Sequence, residues 1–260
     1  MSLPLLLPVD VTFIGHSTVL IDMDGVRLLT DPVLRHRVGH LYRVGADPDP
    51  ERFGNLDVVL ISHAHWDHLD PVSLQQLGKE TPLIVPERVG QFLEAKGFSQ
   101  VQELAIGAST KIGPVRITAT DANHRGRRPP FGPVAETVGY LIEGSARLYF
   151  AGDTDLFPGM EDLAPGLGLA LLPVWGYGPN LGPGHLDPQR AAEALTMLQP
   201  QLAIPIHWGT LAPYGLHLIK PGYLREPPKQ FETSAKALAP QVAVRILDPG
   251  QRLGPDDEEW

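Results

Sequence analysis

The chain has 260 residues, of which 43% are hydrophobic, and a formal net charge of −9 at pH 7. That acidic balance argues against non-specific attraction to a phosphate backbone, so we expect no nucleic-acid partner. The chain has no cysteine, which excludes disulfides and thiolate metal sites and leaves His and carboxylates as possible ligands. The length and the share of hydrophobic residues together indicate a globular protein with a full core.

The first half of the chain predicts strands followed by alternating helices and strands. β-Branched and aliphatic runs predict strands at 9–14, 18–22, 26–30, 58–62 and 82–85. A helix is predicted from Asp70, which can cap it ahead of Pro71, and another over 87–96, ending at Gly97. Residues 32–55 are rich in Arg, His, Gly and Pro without periodicity, which is typical of a functional surface loop.

The second half repeats this organisation. Strands are predicted at 115–122, 137–143, 147–151, 169–174, 202–206 and 242–247, with helices over 187–198 and 229–238. Two mixed sheets covered by helices form a layered α/β fold in which strand-end loops from both halves meet along one edge. We expect one domain over residues 1–260, with a frayed acidic tail at 254–260.

No segment approaches the roughly 20 apolar residues of a membrane-spanning helix. The apolar start, residues 1–8, is short, contains two prolines and lacks the basic region of a signal peptide. We therefore expect a cytoplasmic protein without a transmembrane segment, in which an oligomer is possible.

The most informative segment is His63-Ala64-His65-Trp66-Asp67-His68, which follows the apolar run 57–62. At an extended strand end, residues i and i+2 point the same way, so His63 and His65 can bind one ion. The turn that follows would direct Asp67 and His68 to a neighbouring position. This segment predicts a metal site that can hold two ions.

Three later residues each follow a predicted strand, namely His124, Asp153 and His207. Taken alone, a His after a strand is commonly a hydrogen-bonded structural residue, and an Asp after Gly is commonly a turn or cap. Their coincidence with the six-residue motif favours metal binding for all three.

Together these residues resemble the metallo-β-lactamase superfamily over nearly the whole chain. Within it, the segments 15–20, 29–32, 62–65, 152–154 and 207–210 resemble the branch that contains L-ascorbate-6-phosphate lactonases and N-acyl-phosphatidylethanolamine phospholipase D. The resemblance implies a four-layer αββα sandwich. It also implies that one metal is held by His63, His65 and His124, that a second is held by Asp67, His68 and His207, and that Asp153 bridges them. Asp31 would lie behind the ligands and orient the segment 63–68, and His16 is likewise expected behind the ligands, with a pocket wall as its other candidate role.

Two such ions would leave a position for a bridging hydroxide, which is the predicted nucleophile. Asp67 is either a ligand only or also the acceptor of a proton from the attacking water. His and carboxylate ligands favour Zn²⁺, with Mn²⁺ and Fe²⁺ as alternatives.

Other polar residues are candidates for binding substrate. His185 precedes a predicted helix and would contact substrate or protonate a leaving group, or else be a structural turn residue. Arg125, Arg127 and Arg128 directly follow His124 and would clamp an anionic group with forked hydrogen bonds, or else be solvated. Tyr177 is a candidate pocket wall, with a core position as the alternative.

The sequence thus predicts a binuclear metal-dependent hydrolase that cleaves a small or lipid-derived phosphoester or a lactone. The expected partner is a small anionic substrate or a lipid head group. The alternatives are a nuclease of the same superfamily, a redox-active diiron protein, and a non-catalytic metal-binding protein. The acidic charge disfavours a nuclease, the His-rich ligand set disfavours a diiron protein, and the complete ligand set disfavours a scaffold.

Overall fold

The computed structural model describes residues 7–128, 130, 132–178 and 181–257. The strands are β1 (Asp10–Gly15), β2 (Thr18–Met23), β3 (Val26–Thr30), β4 (Arg37–Val38), β5 (Leu41–Arg43), β6 (Val58–Leu60), β7 (Leu83–Pro86), β8 (Val101–Leu104), β9 (Ser109–Ile112), β10 (Val115–Thr120), β11 (Gly139–Glu143), β12 (Arg147–Phe150), β13 (Leu169–Pro173), β14 (Leu202–Ile206), β15 (Leu211–Pro213), β16 (Ala243–Val244) and β17 (Arg252–Leu253). The α-helices are α1 (Pro71–Leu77), α2 (Gly90–Glu94), α3 (Pro188–Leu198), α4 (Leu216–Ile219), α5 (Gly222–Arg225) and α6 (Pro227–Leu238). Short 3₁₀ helices occupy Pro50–Phe53 and Met160–Leu163.

Two seven-stranded sheets form the centre of the fold. The first has the order β17-β1-β2-β3-β6-β7-β8, and the second has the order β16-β14-β13-β12-β11-β10-β9. In each sheet one part is antiparallel and the other is parallel, as in the pairs β3–β6 and β13–β14. The strands β10, β12, β13 and β14 run in one direction, so their carboxyl ends reach one edge of the second sheet.

The alternation of side chains along β6 shows how the layers are stacked. Val58 and Leu60 join the main core, which also contains residues of the second sheet such as Ile117. Val59 and Ile61 point to the other face and pack with residues of α1 and α2, including Leu74. The first sheet is therefore buried on both faces, with helices outside it and the second sheet inside. Helices α3 and α6 in turn contact β13 and β14 of the second sheet, which confirms the predicted four-layer αββα sandwich.

The N-terminus of α1 shows why the chain turns away after the six-residue motif. The Asp70 carboxylate accepts a hydrogen bond from the backbone N–H of Ser73, and Pro71 occupies the first turn. This is the predicted cap, and it begins the helix directly after the motif.

The structure differs from the sequence prediction in several places. Residues 32–55 are not a plain loop, because β5 pairs with both β4 and β15 in a separate three-stranded sheet over a small core that includes Val33 and Leu211. The predicted strand 242–247 is reduced to β16, and the predicted helix 87–96 to α2. In the tail that we expect to be frayed, the Gly254 N–H donates to the Asp257 carboxylate at 2.6 Å, and residues 258–260, like residues 1–6, lie outside the described part. Among the helices that the structure describes, none combines the length and apolarity needed to cross a bilayer.

Candidate metal centre

The predicted metal-binding side chains converge at the edge where the carboxyl ends of strands from both sheets meet. The six-residue motif follows β6, while His124, Asp153 and His207 follow β10, β12 and β14. Their donor atoms fall into overlapping groups that are compact enough to hold a metal ion. These groups are His63, His65 and His124; His16, Asp67, His68 and His207; Asp31, His63 and His68; and His124, Asp153 and His185.

The first group matches the predicted first metal. His63 Nε2 lies 3.0 Å from His65 Nδ1, and His124 Nε2 lies 3.1 Å from the same nitrogen. Three ring nitrogens from two separate strand ends thus face one small volume.

The second group contains the ligands predicted for the second metal. His68 Nε2 and His207 Nε2 are 3.1 Å apart, and each is 3.7 Å from Asp67 Oδ2. His16 joins this group because its Nε2 lies 2.9 Å from Asp67 Oδ2.

Asp153 lies between the two groups. One carboxylate oxygen is 3.9 Å from His63 Nε2 and 3.3 Å from His68 Nε2, and the other is 3.2 Å from His207 Nε2. The preceding residue, Gly152, has φ +60°, and an added Cβ there would be 2.6 Å from the Ser62 Cβ. The glycine therefore allows the Asp153 strand end to approach the motif closely.

In four of the histidines, the ring nitrogen that points away from the cluster makes a hydrogen bond, and this bond fixes which nitrogen faces the cluster. The Nδ1 atoms of His124 and His207 lie 2.7 Å and 2.6 Å from backbone carbonyls of Gly184 and Trp175, which can only accept. Each ring thus carries a proton on Nδ1 and directs Nε2 inward, the arrangement found in metal-binding histidines.

Asp31 fixes two more rings. Its Oδ2 accepts from the Ser62 hydroxyl at 2.6 Å and from His68 Nδ1 at 2.7 Å, and its Oδ1 accepts from the Ser62 N–H at 2.7 Å. Because the Ser62 hydroxyl donates to Asp31, it accepts from His63 Nδ1, 2.9 Å away. One buried carboxylate therefore orients a donor in each group, which agrees with the position predicted for Asp31.

The residues present fit a metal ion. Nitrogens such as His68 Nε2 and His207 Nε2, 3.1 Å apart, need a proton or a metal cation between them, since two lone pairs repel. In addition, Asp153 Oδ1 is buried without a hydrogen-bond donor, although it lies among ring nitrogens. A cation would satisfy all of these atoms at once.

Burial and charge also set the protonation of most donors as metal binding requires. Burial lowers the pKa of His63 well below its ordinary value and lowers the pKa of His124 to about 4. Burial alone would raise the pKa values of Asp67 and Asp153, but the surrounding histidines hold both well below the ordinary range. Neutral imidazoles and ionised carboxylates are the ligand forms.

His68 is the exception. Burial lowers its pKa, but the charges of Asp153, Asp67 and Asp31 outweigh burial and raise the pKa well above its ordinary value. Without a metal, His68 thus carries a proton, and its positive charge is stabilised by these three carboxylates. Metal binding would displace that proton.

Three residues of the cluster have a strained backbone. His16, Asp31 and His207 all have positive φ, at 56°, 34° and 62°. Such conformations are costly for residues other than glycine and occur where the surroundings hold a functional side chain in position.

Two adjacent cavities open beside the donors. A cavity of about 500 Å³ is lined by His65, Trp66, Asp67, Arg127 and Tyr177, together with β4–β5 residues such as Leu41. A smaller one, of about 130 Å³, is lined by Asp153, His185 and His207 and shares His65, Asp67 and Tyr177 with the first. The predicted pocket wall, Tyr177, lies between the two, and burial raises its pKa to about 12.

His185 is brought to the centre, whereas the three arginines are separated. His185 Nε2 lies 3.4 Å from Asp153 Oδ2, and its Nδ1 donates to the Gly182 carbonyl at 3.0 Å. Arg127 lines the larger cavity, and Arg125 is exposed. Arg128 does not fit the prediction that it binds substrate, because its guanidinium is buried against the backbone carbonyls of Ala64 and Leu69.

Several supporting residues were not predicted from the sequence. The Ser62 hydroxyl donates to Asp31 and accepts from His63, so it links the two side chains. Ser62 directly precedes the motif, and that position was the available signal. The roles of the Trp175 and Gly184 carbonyls could not be predicted from the sequence, because every residue type has a backbone carbonyl that can accept a hydrogen bond.

Comparison with known proteins agrees with this fold and cluster. A family model described as a β-lactamase superfamily domain matches residues 26–208. A UPF0173 metal-dependent hydrolase of Exiguobacterium is 31% identical over 212 residues, which cover 78% of this chain and 88% of the relative. Among solved structures, the metallo hydrolase Igni18 of Ignicoccus hospitalis is 25% identical, with a TM-score of 0.72 and coverage of 94% of this chain and 97% of that one. The metallo-β-lactamase fold protein YhfI of Bacillus subtilis, at 19% identity, shares the fold with a TM-score of 0.65 over 95% of this chain and 99% of its own.

The chain therefore belongs to the metallo-β-lactamase superfamily, which confirms the resemblance seen in its motifs. Within that superfamily it is a member of the UPF0173 group of metal-dependent hydrolases. The finer placement beside lactonases and phospholipases stays a prediction.

Proposed function

We propose that the protein is a binuclear metal-dependent hydrolase that cleaves a small or lipid-derived phosphoester or a lactone. The observation that supports this most directly is the convergence of the seven predicted ligands, six of them in two groups of three and the seventh, the buried carboxylate Asp153, between these groups. The proposed ligands are His63, His65 and His124 for one ion and Asp67, His68 and His207 for the other. Zn²⁺ suits these donors best, with Mn²⁺ and Fe²⁺ as alternatives.

When bound, a pair of divalent ions lowers the pKa of water toward neutrality and stabilises the negative oxygens of the transition state. The chain itself supplies the proton transfers. Asp67 lines both cavities and is oriented by His16 at 2.9 Å, so its carboxylate can accept a proton from the attacking water. His185 can return a proton to the leaving group, since it lines the smaller cavity and its Nε2 lies 3.4 Å from Asp153 Oδ2.

The larger cavity supports a substrate that has an apolar part and a negative group. Its walls include Trp66, Tyr177 and Leu41, which offer apolar surface, and Arg127 is placed to pair with an anionic group. The volume of about 500 Å³ lies within the usual range for small-molecule sites.

Turnover assays would test this function. The metal-loaded protein is assayed on a panel of phosphodiesters and on a panel of lactones, each with and without a chelator. We expect chelator-sensitive hydrolysis in at least one panel. Metal-independent turnover, or no turnover in either panel by a protein with two bound ions, would contradict the proposal.

Replacing Arg127 with alanine tests the predicted anionic group. Because the guanidinium would pair with that group and not with the reacting bond, we expect KM for an anionic substrate to rise about tenfold or more, with little change for a neutral ester. Arg125→Ala, a neighbouring exposed arginine, is the matched control and should leave both KM values unchanged. Equal losses on both substrates in the Arg127 variant would show that the specificity pocket lies elsewhere.

A further inference from the structure

A buried arginine lies behind the six-residue motif. Arg128 is only 7% exposed, and its Nη1 donates to the carbonyl of Ala64 at 3.0 Å and to the carbonyl of Leu69 at 2.6 Å. Ala64 lies just after the first predicted ligand of the motif, and Leu69 lies just after the last. A single nitrogen therefore bridges the two ends of segment 64–69, which we call the motif loop.

Aromatic contacts hold the guanidinium in this place. Its central carbon lies 4.7 Å from the ring centroid of Trp66 and 5.4 Å from that of Phe92. Trp66 belongs to the motif loop and lines the larger cavity, whereas Phe92 belongs to α2. The planar guanidinium thus connects the motif loop to the outer helical layer, a contact that the ammonium of lysine reproduces only in part.

The charge of Arg128 is balanced by carboxylates of the same region. Burial lowers its pKa, and the charges of Asp70 and Asp67 oppose that effect. Asp70 is itself fixed, because Arg35 donates to both of its oxygens at 2.8 Å while Asp70 caps α1. Arg128 therefore joins the two ends of the motif loop, and Asp70 fixes the start of the helix that follows it.

The place of Arg128 in the chain explains what its contact with the motif loop connects. Arg128 follows the predicted ligand His124 by four residues, so it connects a strand end of the second sheet to the motif loop of the first. Arg127 forms an antiparallel bridge with Val134 and lines the cavity, and successive residues of extended backbone point to opposite sides. The two adjacent arginines are thus directed to different tasks.

We propose that Arg128 is a positioning residue of the metal centre, which holds the motif loop so that His65, Asp67 and His68 keep their places as donors to both ions. This inference rests on the proposed binuclear site. Since the contact spans the ligands of both ions, its loss should weaken both metal equivalents together.

Metal binding by Arg128→Met, Arg128→Lys and wild-type protein tests the inference. Titration with Co²⁺, followed by its absorption spectrum and by competition with a chelating dye, should show both equivalents bound about 10- to 100-fold more weakly in the Met variant. The Lys variant retains a charge and donors, so we expect partial rescue. Arg125→Met makes the same change at an exposed neighbouring arginine and should bind like the wild type.

The outcomes separate the possible explanations. A role in packing alone predicts near wild-type affinity in the Met variant, because methionine is also long and apolar, and that result would overturn the inference. Loss of only one equivalent would overturn it as well. If circular dichroism shows that the Met variant does not fold, the metal affinity of the Lys variant tests the inference instead. Weaker binding of both equivalents by a folded Lys variant would support the inference, and wild-type affinity would overturn it. A wild-type protein that binds no Co²⁺ would instead remove the proposed metal centre on which the inference depends.

Discussion

Asp153→Ala is expected to abolish hydrolysis and to lower the total metal content. The Asp153 carboxylate lies within 3.3 Å of His68 Nε2 and 3.2 Å of His207 Nε2, and it is 3.9 Å from His63 Nε2 in the other group. Removing it leaves mutually repelling imidazoles without the shared negative charge that would hold two cations near each other. We expect activity to fall by at least a thousandfold.

Elemental analysis after exhaustive dialysis, together with a turnover assay, measures both effects. Asp121→Ala is the matched control, since Asp121 is an exposed carboxylate near the end of β10, and it should retain both metals and full activity. An Asp153→Ala protein with two bound ions and undiminished turnover would contradict the proposed allocation of ligands.

His124→Ala and His207→Ala should each remove about one metal equivalent while leaving the fold intact. His124 Nε2 faces His65, and His207 Nε2 faces His68, so the two histidines belong to different groups of donors. Each follows a strand that remains paired without it, because β10 and β14 are held by backbone hydrogen bonds to neighbouring strands. The remaining ion should bind in both variants, although hydrolysis should fall by several orders of magnitude.

Metal stoichiometry and circular dichroism of the two variants provide the measurement. The exposed His36, which faces Asp47 outside the cluster, offers a control in His36→Ala. Two equivalents retained with unchanged affinity in either test variant would make that histidine a structural residue. Complete loss of both metals in one variant would indicate a single shared site.

The strands and the polar residues that follow them could be predicted from local patterns, whereas the four-layer sandwich was implied by the resemblance of the motifs to a family. Strands such as Val26–Thr30 and Leu202–Ile206 agree residue for residue with the prediction, since runs of aliphatic residues bounded by turns determine them. A polar residue directly after such a strand is also a local signal. The fold then brings these strand ends to one edge.

What could not be predicted depends on contacts between distant residues. The pairing of Leu41–Arg43 with Leu211–Pro213 joins very short strands far apart in the chain, and neither has enough length to show periodicity. Arg128 illustrates the same limit, because nothing in the run Arg125-Gly126-Arg127-Arg128 indicates which guanidinium faces a cavity and which faces backbone carbonyls. These distinctions arise only when both sheets are assembled.

The measurement that tests the central claim most directly is anomalous diffraction from crystals of the metal-loaded protein, recorded above and below the absorption edge of each candidate metal. We predict two peaks about 3.5–4 Å apart on either side of the Asp153 carboxylate, one beside His63, His65 and His124 and the other beside Asp67, His68 and His207. A single peak, or peaks bound by other residues, would contradict the binuclear centre proposed for this protein.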